Sequence, residues 1–353
     1  MAGRGKPLAP LLEIRDLRLA LGAFTLGDVS LSLDEGDYLV LLGPTGCGKT
    51  SLLRAIAGVY ASGAERIWLD GRDISRVALH KRGIGYVSQT ADLFPHMSVT
   101  RNLEFGPACR GVSRRERAKK AVQIASLLGI SDLLDRDTLT LSGGEGKLVS
   151  LARSLVVDPR VLLLDEPLSG LHHTARTRML GILRRVHDEL RTATIHVTHS
   201  RDEAWAFGER CAVMRDGRIE QAGRVEDLFR RPRTRFVAEF FGDANVFSAE
   251  FARDSVGWVA RVAWGEFPLS EPPSGTRGYL QIRPDSLVLS EGAGDIRGVA
   301  RAIRDQGIFS EIDLGVSSGA TLRVHLLTAA CEGIVAGGDI VLKFTSPPHA
   351  IVE

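Results

Sequence analysis

Cysteine is scarce in this 353-residue chain: Cys47, Cys109, Cys211 and Cys331 stand apart, with no C-x-x-C pair and no metal-ligand spacing. That excludes a disulfide framework and a cysteine-held zinc, and it predicts a reducing cytosolic setting. Long apolar runs are missing too. No stretch approaches about 18 uninterrupted apolar residues, so no membrane-spanning helix is expected. The opening MAGRGKPLAP lacks the apolar segment of a secretion signal. Charge of one sign is equally thin, since 45 Lys plus Arg against 43 Asp plus Glu leave a net of +2. Such a balance excludes a nucleic-acid-binding tail and a polybasic membrane anchor. Repeats at solenoid periods and low-complexity tracts are absent. The expectation is a soluble intracellular protein with room for two or three domains.

What the chain does have is glycine in two telling places. Gly43-Pro44-Thr45-Gly46-Cys47-Gly48-Lys49-Thr50 fills every required position of G-x-x-x-x-G-K-S/T. A loop that wraps phosphates must aim several backbone N–H groups inward, and Gly43, Gly46 and Gly48 supply the positive-φ positions this needs. Lys49 is placed to reach the β- and γ-phosphates, and the Thr50 hydroxyl to reach Mg²⁺. Upstream, Tyr38 to Leu42 suits a buried parallel strand; downstream, Leu52, Leu53 and Ile56 fall at helical spacing and Gly58 is a C-cap candidate. Strand, glycine loop and helix start form an anion site by geometry alone. Further on, Val161 to Leu164 is an apolar strand ending in Asp165 and Glu166. The strand carries Asp165 to the sheet edge where it can join a Mg²⁺ shell, and Glu166 could polarise an attacking water.

Three regions follow from the patterning. Short β-like runs (Leu12 to Leu19, Val29 to Leu33, Tyr38 to Leu42, Arg66 to Leu69, Ile84 to Val87) give way near Thr90 to helical spacing. Ser113-Arg114-Arg115-Glu116 fits a capping box and opens a helix to about Leu128. Strands return at Val161 to Leu164, Ala193 to Val197 and Cys211 to Met214, with a helix between the first two that puts Met179, Ile182, Leu183, Val186 and Leu190 on one face. The alternation predicts an α/β core with a mostly parallel sheet and an attached helical subdomain over about 90–160. Near Arg230-Arg231-Pro232-Arg233 the pattern breaks, a short helix (Phe236 to Phe241) follows, and Gly242-Asp243 reads as a linker. Short alternating runs such as Thr321 to Leu326 and Ile340 to Phe344 then predict an all-β C-terminal domain, a small barrel or a pair of barrels. The expected boundaries are a tail at 1–10, a core at 11–231, a linker at 232–245 and the β domain at 246–353.

With Leu141-Ser142-Gly143-Gly144-Glu145 added to the glycine loop, to Gln89 in Gly85-Tyr86-Val87-Ser88-Gln89, to the Asp165-Glu166 strand and to His199 after Val197-Thr198, the chain resembles the ABC-transporter ATPases over roughly Leu11 to Arg230. The resemblance implies an ATPase using ATP and Mg²⁺. It implies that Gly43, Pro44, Thr45, Gly46, Cys47, Gly48, Lys49, Thr50 and Ser51 hold the nucleotide. Thr50, Gln89 and Asp165 would hold the metal, and Glu166, His199 and Gln89 would be catalytic. It further implies that Ser142, Gly143 and Gly144, at a helix start rich in free N–H groups, face the γ-phosphate bound by a second, identical subunit.

This chain departs from the family's pattern at Glu145, Gly146, Leu148 and His172, and the adenine-stacking aromatic has no clear match, Leu21 lying near its position with Phe24 close by. These departures are either tolerated drift or the mark of slow, partner-dependent hydrolysis. Cys47 in the loop predicts that thiol alkylation blocks nucleotide binding and that nucleotide protects.

The C-terminal run Gln281-Ile282-Arg283-Pro284-Asp285-Ser286-Leu287 resembles the oligonucleotide-fold-like regulatory domain of bacterial importer ATPases. That implies separate permease subunits, an extracytoplasmic solute-binding protein, no nucleic acid, and a peripheral place on the cytoplasmic face of the cell membrane. Molybdate/tungstate or another small anion is the favoured solute; sugar, polyamine or ferric iron is the alternative, and a nucleotide-binding regulator with little hydrolysis is the alternative class. The segment Asp92 to Met97 is expected either in a groove receiving the permease or in the core of the helical subdomain.

Overall fold

A computed structural model of the chain describes residues 9–63, 65–241 and 244–352. The chain divides into compact units at the junction of Val225 and Glu226. In the first unit, β1 (Leu12–Leu21) and β2 (Phe24–Leu33) form a hairpin, extended by β4 (Ile67–Leu69) and β5 (Arg72–Asp73) into an antiparallel sheet of order β2-β1-β4-β5. A second sheet combines β3 (Tyr38–Leu42), β6 (Ile84–Val87), β7 (Val161–Asp165), β8 (Ala193–Val197), β9 (Arg210–Arg215) and β10 (Arg218–Gly223) in the order β10-β9-β3-β8-β7-β6. Every pairing in it is parallel except β9 with β10. The runs YLVLL, VLLLD and ATIHV are buried at every position, which a central strand covered on both faces requires.

Helix α1 (Lys49–Ala57) shares one apolar core with both sheets through Leu52, Leu53 and Ile56. The helical insertion consists of α2 (Val99–Cys109), α3 (Arg114–Leu128) and α4 (Gly143–Leu155), packed on one another. Helices α5 (His173–Leu190) and α6 (Arg201–Phe207) flank β8 in sequence. Of the expected capping box the N-cap half is present: Ser113 Oγ accepts from the Glu116 N–H, but the Glu116 carboxylate accepts from the Ser113 hydroxyl rather than from its backbone N–H. The segment 92–97 is pinned by the fully buried Asn102, whose amide donates to the carbonyls of Phe94, Met97 and Ser98, while Pro95 and His96 stay exposed.

The second unit holds α7 (Val225–Arg230) from its second residue, then α8 (Arg235–Phe241) within the expected linker; Gly242 and Asp243 lie outside the described residues. Its strands are β11 (Asn245–Arg253), β12 (Trp258–Val262), β13 (Gly265–Leu269), β14 (Arg277–Ile282), β15 (Leu287–Leu289), β16 (Ile296–Asp305), β17 (Phe309–Gly315), β18 (Thr321–Leu327), β19 (Asp339–Phe344) and β20 (His349–Ile351). They make two five-stranded antiparallel sheets, β13-β12-β11-β14-β20 and β15-β19-β16-β17-β18, on a single core. Asn245 stitches the sheets together: its amide donates to Ile282 O and Arg323 O, and its carbonyl accepts from the Arg323 N–H.

A close packing constraint near the glycine loop lies at the far end of α1. Gly58 closes the helix at φ 92°, and a Cβ there would run into the Arg82 guanidinium. Arg82, only 3% exposed, donates to Ala55 O and Ile56 O in the last turn, where Ile56 O has no partner within the helix, and to Val77 O and Ser75 O. Arg82→Ala leaves Ile56 O and Val77 O without a donor and weakens the satisfaction of Ala55 O and Ser75 O, which keep Gly58 N–H and Ser62 Oγ, and should cost the first unit roughly 3 kcal/mol. Urea unfolding followed by circular dichroism checks this, with Arg82→Lys expected to fall between the two.

Candidate functional site

Between β3 and α1 the chain turns at Gly43 to Gly48 in a conformation that side chains would obstruct. A Cβ on Gly43 would overlap the Met214 carbonyl, and one on Gly48, at φ 104°, would overlap the Phe24 ring. Gly48 is the N-cap of α1 and offers no side-chain cap, so the first-turn N–H groups stay free for an anion. Lys49, 5% exposed, donates through Nζ to Gly43 O at 2.7 Å and Pro44 O at 2.9 Å. The loop opens on a cavity of about 580 Å³, lined by Thr45, Gly46, Gly48, Lys49, Thr50 and Ser51, and on its other walls by Leu21, Phe24, Tyr60, Gln89, Glu166 and His199. Gly43 and Cys47 are buried, and Pro44 takes part through its carbonyl.

The two acids at the end of β7 differ in setting. Asp165 is 3% exposed and is hydrogen-bonded on both oxygens, by Thr50 Oγ1 at 2.9 Å and by the Tyr86 hydroxyl at 3.0 Å. Burial first, then the Asp165 charge, push the Tyr86 phenol up to about 12, so it remains a donor. Glu166 has φ 46°, an uncommon region for a glutamate, and its N–H donates to Val197 O at 3.0 Å. Its carboxylate meets Gln89 Nε2 at 3.4 Å on one oxygen and His199 Nδ1 at 3.3 Å on the other. Thr50, Asp165 and Gln89 offer oxygens, and the described residues contain no group of three or more His, Cys, Asp or Glu that could hold a metal ion. That donor set fits Mg²⁺, which binds through one or two protein groups and completes its shell with phosphates and water.

Ser142, Gly143 and Gly144 are not on that cavity. They start α4, where Ser142 Oγ accepts from the Glu145 N–H at 3.3 Å and Glu145 Oε2 accepts from the Ser142 N–H at 2.7 Å. This capping box turns Glu145 back onto its own helix. The Ser142 backbone N–H holds the carboxyl below its usual range, and Arg136 pairs with its other oxygen at 3.2 Å. An acid beside the signature is thereby accommodated. His172 takes the N-cap of α5, with Nδ1 accepting from the Ala175 N–H at 3.4 Å. Leu148 is buried and lines, with Ser142, Gly144, Leu171 and His172, a separate cavity of about 330 Å³.

Residues without a role in the sequence reading also belong to the site. Tyr86 was visible in the Gln89 run, but only the pairing of β6 with β7 shows that it reaches Asp165. Tyr60 joins the cavity wall from the loop after α1. Below His199, the fully buried His196 lies between the Tyr38 hydroxyl at 2.9 Å and Glu203 at 3.1 Å, and Arg176 holds the second Glu203 oxygen at 2.7 Å.

The sequence profile described as ABC transporter matches residues 26–169. The Fe(3+) ions import ATP-binding protein of Streptomyces coelicolor is 39% identical over 318 residues, covering 88% of this chain and 86% of that protein. The molybdate/tungstate import ATP-binding protein of Thermococcus kodakarensis is 41% identical, covering 76% and 80%. The sulfate/thiosulfate import ATP-binding protein of Burkholderia mallei is 36% identical, covering 96% and 98%. Among solved structures, a component of the cbiONQ ABC transporter complex of Clostridium perfringens superposes with a TM-score of 0.57 at 29% identity, covering 62% of this chain and 90% of its own.

Burial bears on how readily the thiol in the loop can react. Cys47 is 4% exposed and burial raises its pKa against the pull of Lys49, whereas Cys109 is exposed. Iodoacetamide followed by peptide mass spectrometry should label Cys109 at least about tenfold faster than Cys47. The capping box makes its own prediction: Glu145→Ala should cost about 1 kcal/mol in urea unfolding, while Glu145→Gln, which keeps the acceptor, should cost less than half of that.

Proposed function

Given that the chain belongs to the ABC transporter family of ATP-binding proteins, we propose that it is the ATP-hydrolysing subunit of a solute importer, acting as a homodimer beneath separate permease subunits. The observation that carries this reading is the convergence of Lys49, Thr50, Gln89, Glu166 and His199 on one cavity, with Asp165 hydrogen-bonded to Thr50 at its floor. The loop N–H groups and Lys49 bind the phosphates of ATP, and Thr50, Asp165 and Gln89 hold Mg²⁺. The metal held there would supply positive charge to offset that of the phosphates. Glu166 accepts a hydrogen bond from the attacking water, and His199 beside it donates to the γ-phosphate. Phe24 and Leu21 form the wall for the base.

A second copy enters this reading because Ser142 and Gly144 face a different cavity of the same chain. Donated by a partner at a two-fold axis, Ser142, Gly143 and Gly144 close the γ-phosphate side of each site. None of the described helices is long and apolar enough to cross a membrane, so the conduit is supplied by permease subunits, met at the cytoplasmic face. The exposed Pro95 and His96, on a backbone pinned by Asn102, give the permease a firm surface to dock on. The relatives carry the names of ferric iron, molybdate/tungstate and sulfate/thiosulfate import proteins, and two of the three name oxyanions. We favour a small inorganic anion, delivered by an extracytoplasmic binding protein.

The purified chain should hydrolyse Mg-ATP and stop when EDTA removes the metal. Glu166→Gln should lower turnover by about a hundredfold or more and hold an ATP-bound dimer on size-exclusion chromatography. A wild-type rate no higher than that of the variant would replace the ATPase reading with that of a nucleotide-binding regulator.

A further inference from the structure

Lys147 sits on α4 one turn beyond Ser142, where a side chain of this face leaves the helix toward the turn after β7. Its ammonium donates to Ser169 O at 2.6 Å, Pro167 O at 3.2 Å and Ser169 Oγ at 3.2 Å. All three N–H donors of an ammonium are thus matched by neutral oxygens on one short turn. Ser169 passes the connection on: its Oγ donates to Glu166 O at 2.9 Å, and its N–H donates to the same carbonyl at 3.1 Å. The turn so held is the one that keeps Glu166 at φ 46°. A left-handed glutamate persists only where its surroundings over-determine the backbone.

Lys147 is half-buried. Burial lowers its pKa, opposed first by the charge of Glu166, so the ammonium also stands within the field of that carboxylate. Lysine suits the place because an amide offers two donors to three acceptors, and leucine or methionine offers none.

We propose that Lys147 is a positioning residue that ties the signature end of α4 to the Glu166 turn, so that docking of Ser142 to Gly144 on a partner's nucleotide sets the water-polarising carboxylate at the chain's own. The inference rests on the ATPase reading and deepens it, since one side chain then links the two halves of catalysis that a single subunit contributes to different sites.

The test compares the full-length wild type with Lys147→Met, Lys147→Arg, Ser169→Ala and the Met/Ala double variant. Steady-state Mg-ATP turnover is read beside the affinity for a fluorescent ATP analogue. Lys147→Met should lose about ten- to a hundredfold in kcat with nucleotide affinity changed by less than about twofold. Ser169→Ala should move in the same direction, and the double variant should fall no further than Lys147→Met. Lys147→Arg should keep at least about a third of wild-type turnover, because charged donors remain. Thermal melts accompany each protein, and if Lys147→Met does not fold, Ser169→Ala carries the comparison. A wild type without turnover would overturn the ATPase reading and this inference with it. An active wild type with unimpaired Lys147→Met and Ser169→Ala, a loss seen in affinity rather than turnover, additive losses, or an arginine variant as weak as the methionine one would overturn the inference alone.

Discussion

A carboxylate buried at the end of a central strand must have both oxygens hydrogen-bonded, and the first unit is organised around meeting that demand at Asp165. Its partners come from separate parts of the chain: Thr50 from the first turn of α1 and Tyr86 from β6. Neither can reach it unless β3, β7 and β6 take their places in the parallel sheet and the glycine loop delivers α1 onto the sheet's carboxyl edge. Unpaired, the buried charge would cost several kcal/mol. The same geometry that satisfies Asp165 therefore assembles Lys49, Glu166 and the loop N–H groups on one cavity.

The departures at Glu145 and His172 fall where helices begin, and both are absorbed by local hydrogen bonding. Glu145 closes a capping box and is paired by Arg136. His172 accepts an N–H at the start of α5 in a position where an acid would do the same. Leu148 is buried, and Lys147 next to it supplies the polar reach across to the Glu166 turn. The second half of the site keeps its shape by different means, which favours drift in sequence over loss of the site.

Much of this was legible because the informative residues are local. The strand Tyr38–Leu42, the helix Lys49–Ala57 and the strand start at Val161 match the apolar runs and glycine punctuation that flag them. Other parts were hidden for physical reasons. The outer strand Arg218–Gly223 pairs on one side only and carries RIEQAG, so no apolar run marks it. The first half of β2 contains Gly27 and a positive-φ Asp28, which read as loop until the hairpin with β1 is seen. Tyr86 and Lys147 act through partners about 79 and 20–22 positions away along the chain, distances over which spacing carries no signal. The β domain was visible as a class from its alternation, but the Asn245 bridge between its sheets depends on residues far apart in sequence.

The division of labour within one chain has a consequence for control. Lys49, Thr50 and Glu166 are assembled on one cavity of the single chain, while Ser142 and Gly144 lie on another. On the proposed dimeric reading, a lone subunit can bind ATP but lacks donors on the γ-phosphate side, so binding and turnover are separable by construction. Chemistry then depends on how closely two chains approach, a rigid-body quantity that permease subunits can set without entering the site. A residue that connects the donated half of one site to the receiving half of the other is the natural place for such an approach to be felt as a shift of the catalytic carboxylate. The hydrogen bonds from Lys147 through Ser169 to the Glu166 carbonyl have that connectivity.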